Sequence, residues 1–136
     1  MIYITRRETF SASHRLNNDK LSAEENRILF GNCNNPNGHG HNYILEVTIS
    51  GGIEEKTGYV IDLKQLKKIV RENVVNKLDH KNLNMDVDFL RDVIPSSENI
   101  AVAIWKQLEN KIPSGRLYSV KLYETENNYI EYKGEE

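Results

Sequence analysis

The residues with the most chemistry to offer are the four histidines, His14, His39, His41 and His80, and the single cysteine, Cys33. His39-Gly40-His41 opens the segment with the best strand alternation in the chain. Residues two apart on a strand point to the same side, so both imidazoles can converge on one ion. His14 follows another strand candidate and comes close if the two strands pair. Imidazole is a borderline-soft ligand suited to zinc, and three protein ligands with one open position is the pattern of a catalytic rather than a structural zinc. The plainer alternative is a polar, exposed His-Gly-His loop. Cys33 lies in Gly31-Asn32-Cys33-Asn34-Asn35-Pro36-Asn37-Gly38. Lone cysteines usually behave as small buried hydrophobes, yet Asn, Gly and Pro flanks do not make a core segment. Two functional readings stay open: the fourth ligand of a closed Cys-His site, or an unligated base beside a metal. A thiol acts as its thiolate, and a neighbouring dication or imidazolium favours that form.

Asp79-His80 sets a carboxylate beside an imidazole after a helical stretch. A carboxylate bonded to histidine fixes the ring's tautomer and favours its protonated form, as general acid–base work requires; an Asp at a helix end followed by an exposed His is the plain alternative. Glu124 closes a strand candidate on the same face as Val120 and Leu122. A carboxylate on an apolar face is costly unless paired. It either reaches solvent at the strand end or receives a ligand with two donors, such as a planar amidine-like edge. Glu98, behind Ser96-Ser97, reads as a first-turn acid that favours the helix dipole. Arg6-Arg7-Glu8-Thr9 matches a loose basic-x-hydroxyl kinase pattern and reads more simply as alternating charge on a strand.

The elements that must hold these groups follow from periodicity. Ile2 to Phe10 predicts a strand ending near Ser11-Ala12-Ser13, followed by an Asn- and Gly-rich loop with a short helical candidate around Ala23 to Leu29. Asn42 to Ser50 alternates, with Tyr43, Leu45, Val47 and Ile49 on one face and Glu46 on the other. Gly51-Gly52 breaks that run. A short extended piece, Tyr59 to Ile61, leads to Asp62 as a helix N-cap, behind which Leu63, Leu66, Ile69 or Val70, and Val74 recur at helical spacing. A second main helix starts near Ser96-Ser97-Glu98-Asn99 and carries Ile100, Ala103, Ile104 and Leu108. After the Pro113-Ser114-Gly115 turn, Leu117 to Glu124 pairs through Asn127-Asn128 with Tyr129 to Tyr132 as a hairpin. Strands, then two helices, then strands predict an α+β fold: an antiparallel four-stranded sheet with two helices on one face. Its open edges favour self-association.

At 136 residues and 15.7 kDa the chain, residues 1–136, is expected to form a single domain. It shows no internal repeat, low-complexity tract or linker. Eighteen Lys+Arg against 20 Asp+Glu give a net charge of -2, which argues against a general nucleic-acid partner. Apolar runs such as Ile100 to Trp105 are far short of the ~20 residues a membrane-spanning helix needs. One cysteine forms no internal disulfide, and the N-terminus lacks the apolar stretch of a secretory signal, so a cytoplasmic location is expected.

Taken together, the segments resemble the 6-pyruvoyl-tetrahydropterin synthase family of tunnelling-fold pterin enzymes. The resemblance runs in order over essentially the whole chain: Phe-Ser-Ala-Ser-His-Arg-Leu at 10–16, Cys-Asn-Asn-Pro-Asn-Gly-His-Gly-His-Asn-Tyr at 33–43, Leu-Asp-His-Lys-Asn-Leu at 78–83, Ser-Glu-Asn-Ile-Ala at 97–101, Leu-Tyr-Glu-Thr-Glu-Asn-Asn at 122–128 and Tyr-Lys-Gly at 132–134. The long block from Cys33 to His41 is the most specific. The resemblance implies a tunnelling fold in which subunit sheets join into a barrel as trimers that stack into a hexamer. It implies that His14, His39 and His41 hold Zn2+, that Cys33 is the catalytic base, and that Asp79 and His80 complete a relay reaching the site from a neighbouring subunit. Glu124 would anchor the pterin ring, aided by Ser97 and Glu98. The implied reaction converts 7,8-dihydroneopterin triphosphate to 6-pyruvoyl-tetrahydropterin with loss of triphosphate, in tetrahydrobiopterin biosynthesis. Arg15 and Lys81 are candidates to meet the triphosphate. Pro95 departs from the β-branched or small residue the family suggests there and is expected to touch no catalytic position.

Two rivals are weighed against this reading. One is the 6-carboxy-tetrahydropterin synthase of the queuosine pathway, whose sequences are similar around the histidines but with a shorter Cys to His-Gly-His spacing; here five residues separate Cys33 from His39. The other is a non-catalytic zinc-stabilised binding module with Cys33 as fourth ligand.

Overall fold

Alternation of apolar and polar side chains produces two long strands, β1 (Ile2–His14) and β2 (His39–Gly51), in the computed structural model, which describes residues 1–135. They pair antiparallel along their whole length, from Ile2 opposite Gly51 to His14 opposite His39. β1 therefore runs past the Ser-Ala-Ser segment expected to end it. The reason is visible in its parity: Phe10, Ala12 and His14 continue the buried face that Glu8 begins, so the burial pattern outlasts the β-rich composition. On β2 the matching face carries His39, His41, Tyr43, Leu45 and Val47, the last three fully buried.

Between these strands, α1 (Ala23–Phe30) is set by a capping box. Ser22 Oγ accepts from Glu25 N while Glu25 reaches back to Ser22 N. A 3-10 turn, Gly31–Asn34, follows it. Tyr59 to Ile61 forms no sheet pairing, but Val60 and Ile61 are buried in the core. Asp62 caps α2 (Leu63–Val70), its Oδ1 accepting from Lys64 N at 2.9 Å. The helix continues through a π turn, Arg71–Val75, into α3 (Asn76–Leu78). The π turn carries Arg71, whose Nε donates to the buried Glu8 at 3.0 Å; Arg6 pairs with the same carboxylate, so this core-face charge is compensated. Next come β3 (Lys81–Asn82), a 3-10 turn at Asp88–Leu90, and α4 (Ser97–Leu108), capped by Ser96. The hairpin β4 (Arg116–Thr125) and β5 (Asn128–Tyr132) closes the chain order.

The sheet has five strands in the order β3-β1-β2-β4-β5, not four. The unforeseen member, β3, is two residues long and runs parallel to β1 at Ala12 and Ser13. So short a strand has no periodicity to read; it exists because Asp79 and His80 are already bonded to β1. The helical content is likewise three helices rather than two: the α1 candidate forms, and α2 with α3 makes one rod. This rod packs against β1 while α4 lies across β4 and β5. Leu66, Val70, Val74, Leu78, Ile100, Ile104 and Leu108 fill the space between helices and sheet. The fold is α+β. No helix among the described residues is long and apolar enough to cross a membrane.

Candidate metal centre and adjoining cleft

The register of β1 against β2 assembles the centre. His14 is directly opposite His39, and Ala12, a small residue, is opposite His41. Because 39 and 41 share parity on β2, all three imidazoles stand on the helix side of the sheet. Their rings meet edge to face, with centroids 4.8 Å (His14–His39), 5.1 Å (His14–His41) and 4.8 Å (His39–His41) apart. One ligand nitrogen from each lies within 4.8 Å of the others, and these three histidines are the set so placed among the described residues. His14 Nε2, His39 Nδ1 and His41 Nε2 are buried without a hydrogen-bond partner. Orphaned buried nitrogens are costly unless something occupies them, and three converging imidazole lone pairs fit a metal ion.

The tautomer of His14 is set from behind. Its Nδ1 donates to the carbonyl of Pro95 at 2.7 Å, leaving Nε2 as the lone pair that faces the other rings. Pro95 therefore does touch the site, contrary to the expectation from sequence. The contact is made by a backbone carbonyl, which any residue type supplies, so side-chain identity gave no sign of it. Burial holds the His14 imidazole below its ordinary pKa, against the Pro95 bond and the Glu124 charge, which push the other way. Burial lowers His41 as well, opposed by Glu124. Neutral imidazoles are the ligating form.

Glu124 stands at the end of β4 next to this cluster. Its Oε1 is 3.3 Å from His41 Nε2, without hydrogen-bond geometry, and its Oε2 accepts from Ser97 Oγ at 2.6 Å. Ser97 is the first residue of α4 and is buried. A cleft of about 280 Å3 opens beside this pair, lined by Leu16, Ser97, Glu98, Glu124, Asn128 and Tyr129 among others. Glu98 is exposed at its rim. Glu124 lines this cleft, and a carboxylate there offers two acceptor oxygens to a ligand with two parallel donors.

Cys33 is half-buried in the 3-10 turn and is not part of the converging set. The turn is strapped onto the residues just after His14. Leu16 N donates to Cys33 O at 2.8 Å, Asn34 Nδ2 to Leu16 O at 2.7 Å, and Arg15 Nε to Asn34 O at 3.2 Å. Gly38 lets the chain turn back into β2: its φ is +74°, and a Cβ there would lie 2.9 Å from His14 O.

Asp79 and His80 are held by β1. Ser11 N donates to Asp79 Oδ1 at 2.9 Å and His80 N to Ser11 O at 2.6 Å, with His80 at φ +62°. His80 Nδ1 is 3.0 Å from Asp79 Oδ2. The Ser11 N–H, and then His80, hold the Asp79 carboxyl below its ordinary pKa. The His80 side chain is 82% exposed, beside a shallow depression lined by Ser11, Ser13, Gly40, His41 and Asn42 among others. Ser11, Ser13, Gly40 and Asn42 have the parity opposite to the imidazoles, and Asp79 and His80 are outside the converging set, so within one chain this dyad and the three-histidine cluster do not form one ligand group. Arg15 lines a separate open cleft with Lys20, Arg91, Asn37 and Asn84, and Lys81 lies in β3 at the sheet edge.

Sequence reasoning also passed over Tyr43. It is fully buried, stacked on Phe10 at 4.9 Å, and its ring centre lies 5.6 Å from that of His41 and 6.2 Å from that of His14. Burial, and then the Glu124 charge, push its phenol pKa up. The alternation of β2 identified it as a core residue; nothing in a strand pattern distinguishes a tyrosine from a phenylalanine.

A mainly antiparallel sheet backed by helices, with three buried imidazoles that could hold a metal ion beside a carboxylate-bearing cleft, defines an α+β domain with a candidate metal centre. The model of the family described as 6-pyruvoyl tetrahydropterin synthase matches residues 3–135, and the chain belongs to that family. It is 55% identical over 132 residues to the 6-pyruvoyl tetrahydrobiopterin synthase of Homo sapiens, covering 97% of this chain and 91% of the human protein. It is 49% identical over 136 residues to the protein of the same name from Dictyostelium discoideum, covering 98% and 97%. The structure of Caenorhabditis elegans 6-pyruvoyl tetrahydropterin synthase superposes with a TM-score of 0.93 at 41% identity, over 98% of this chain and 96% of that one.

Proposed function

We propose that this chain is a zinc-dependent carbon–oxygen lyase that converts 7,8-dihydroneopterin triphosphate to 6-pyruvoyl-tetrahydropterin with elimination of triphosphate, in tetrahydrobiopterin biosynthesis. The observation that carries the reading is the convergence of three partnerless imidazole nitrogens beside the Ser97–Glu124 pair, in a chain of this family. His14, His39 and His41 hold the ion. Zinc bound there supplies Lewis-acid polarisation of the side-chain oxygens of the substrate, which makes the adjacent carbon-bound protons easier to remove.

The protein's own groups do the rest. Glu124 anchors the pterin ring through its N–H and 2-amino donors, with Ser97 holding the carboxylate in place and Glu98 at the rim of the same cleft. Cys33, carried on the turn bonded to Arg15 and Leu16, removes a carbon-bound proton as the catalytic base. His80 returns or delivers a proton, its tautomer fixed by Asp79. Since Asp79–His80 is exposed and set apart from the histidines of its own chain, the dyad serves the site of a neighbouring copy. That reading fits a homo-oligomer in which sheets join edge to edge into a barrel, as a hexamer made of two trimers. The 136 residues act as a single domain with a cytoplasmic location.

The 6-carboxy-tetrahydropterin alternative is disfavoured by the five residues between Cys33 and His39. The binding-module alternative needs Cys33 as a ligand, and Cys33 is outside the converging set. The test is to supply the purified, zinc-loaded protein with 7,8-dihydroneopterin triphosphate and identify the product by mass spectrometry. The 6-pyruvoyl product with free triphosphate is expected. A 6-carboxy product, or no turnover with zinc bound, would overturn the assignment.

A further inference from the structure

We propose that the Tyr43 hydroxyl is a positioning donor for the Glu124 carboxylate, engaged directly or through one ordered water when a metal ion occupies His41 Nε2. Four buried side-chain polar atoms have no hydrogen-bond partner among the described residues: His14 Nε2, His39 Nδ1, His41 Nε2 and the Tyr43 hydroxyl. A metal accounts for the three nitrogens. It does not account for the hydroxyl, and buried tyrosine hydroxyls ordinarily find a partner.

The sheet indicates which partner that is. β2 and β4 are paired with Ile44 opposite Tyr123 and Leu45 opposite Leu122. Tyr43 and Glu124 are the next residues beyond the Ile44–Tyr123 pair, at an irregularity of β4 between Tyr123 and Thr125. Both adjoin His41: the Tyr43 ring centre is 5.6 Å from the His41 ring centre and Glu124 Oε1 is 3.3 Å from His41 Nε2, a separation at which cross-strand side chains interact. The Glu124 oxygens are otherwise assigned as far as the protein allows: Oε2 to Ser97 Oγ, and Oε1 3.3 Å from His41 Nε2. Oε1 makes no hydrogen bond to that nitrogen, and a metal on His41 Nε2 would take up its lone pair, so His41 supplies Oε1 with no donor. A phenol donor next to it then gains a charge-assisted hydrogen bond. Metal loading would thus fix the direction of the carboxylate that receives the substrate ring, which couples the two halves of the site. This consequence for the substrate rests on the ring-anchor role of Glu124 proposed above.

The direct test is a crystal structure of the zinc-loaded full chain. Tyr43 Oη is expected within about 3.2 Å of a Glu124 oxygen, or of a water that is itself that close to both. A hydroxyl with neither partner in that structure overturns the proposal. In solution, Tyr43→Phe is expected to melt at or above the parent temperature in chelator, because the deleted hydroxyl had no protein partner to lose. Its zinc affinity should be unchanged. Affinity of the zinc-loaded variant for 7,8-dihydroneopterin should fall about tenfold, as for loss of a hydrogen bond to a charged group. Glu124→Gln and the double variant separate the layers. If Glu124→Gln costs nothing in pterin affinity, the ring-anchor reading fails while the crystallographic distance still decides the Tyr43 contact. If Glu124→Gln weakens binding and Tyr43→Phe does not, or if Tyr43→Phe melts well below the parent in chelator, the positioning role is wrong. Equal losses in the double variant and in Glu124→Gln support it.

Discussion

Replacing Cys33 with alanine separates a thiol that reacts from a thiol that binds metal, and the structure sets the size of each effect. Cys33 is half-buried, and the contact that ties its turn to β1 runs through its backbone carbonyl to Leu16 N at 2.8 Å. Alanine keeps that bond and removes one partly exposed sulfur, at a cost of about 0.5–1 kcal/mol. For a domain of this size that is a melting shift of roughly 2–5 °C. The converging ligand set does not include Cys33, so bound zinc should stay at one equivalent per chain. Losing a general base costs about 10²–10⁴ in rate, or roughly 3–6 kcal/mol of barrier, several times the stability term. The variant should therefore be folded, metal-replete and nearly inert. Metal content by plasma mass spectrometry, a thermal melt and product formation from 7,8-dihydroneopterin triphosphate read the three quantities on one sample. Loss of zinc together with a melt lowered by tens of degrees would refute the reasoning and restore Cys33 as a ligand; turnover within threefold of the parent would refute its role as base.

Other perturbations have equally definite signs. Ser97→Ala removes the 2.6 Å bond to Glu124 Oε2; on a partly exposed carboxylate this sits near the lower end of about 1.5–3 kcal/mol, so the melt should fall by roughly 5 °C and KM should rise about tenfold, and an unchanged KM would count against the ring-anchor role. Gly115→Ala places a Cβ 2.8 Å from both Ile49 Cγ2 and Ser50 O at a φ of +72°; urea titration should show a loss of about 2–4 kcal/mol with the metal site intact. Burial keeps the folded-state pKa values of His14 and His41 below the imidazole norm. Below about pH 6.5 the unfolded chain accordingly binds protons that the metal-free native protein refuses, so unfolding free energy in chelator should decrease as pH falls from 8 towards 5. A flat or opposite dependence would mean that the cluster is not dry.

What could be read in advance divides along a physical line. Alternation in 42–50 and the 3.6-residue spacing in Leu63, Leu66, Val70 and Val74 report burial directly, so the long strand, the main helices and the hairpin were legible. The end of β1 was not. Ser11-Ala12-Ser13 has weak strand propensity, and the pairing partner decides its conformation, because β2 is long enough to hold it in register as far as His14. The two residues of β3 lie at the same limit, since their strand geometry is imposed by Asp79 and His80 bonding to Ser11 rather than by their own side chains.

The site divides in the same way, between what a side chain announces and what only a neighbour supplies. His39 and His41 share a face by spacing alone, whereas the third ring needed a register: shifting β1 by one residue would move His14 to the opposite face and leave two imidazoles. The Pro95 carbonyl that fixes the His14 tautomer carries no side-chain signature, being a main-chain atom just ahead of the Ser96 cap of α4. Glu124 drew attention as a carboxylate on an apolar face, and its cost is met by Ser97 from the start of that same helix. One short stretch, Pro95 to Ser97, therefore orients the His14 imidazole with its beginning and the cleft carboxylate with its end. The cap at Ser96 makes that stretch stiff, accepting from Asn99 N at 3.2 Å. A change that loosens this cap should disturb metal binding and pterin binding together, although Ser96 is a ligand to neither.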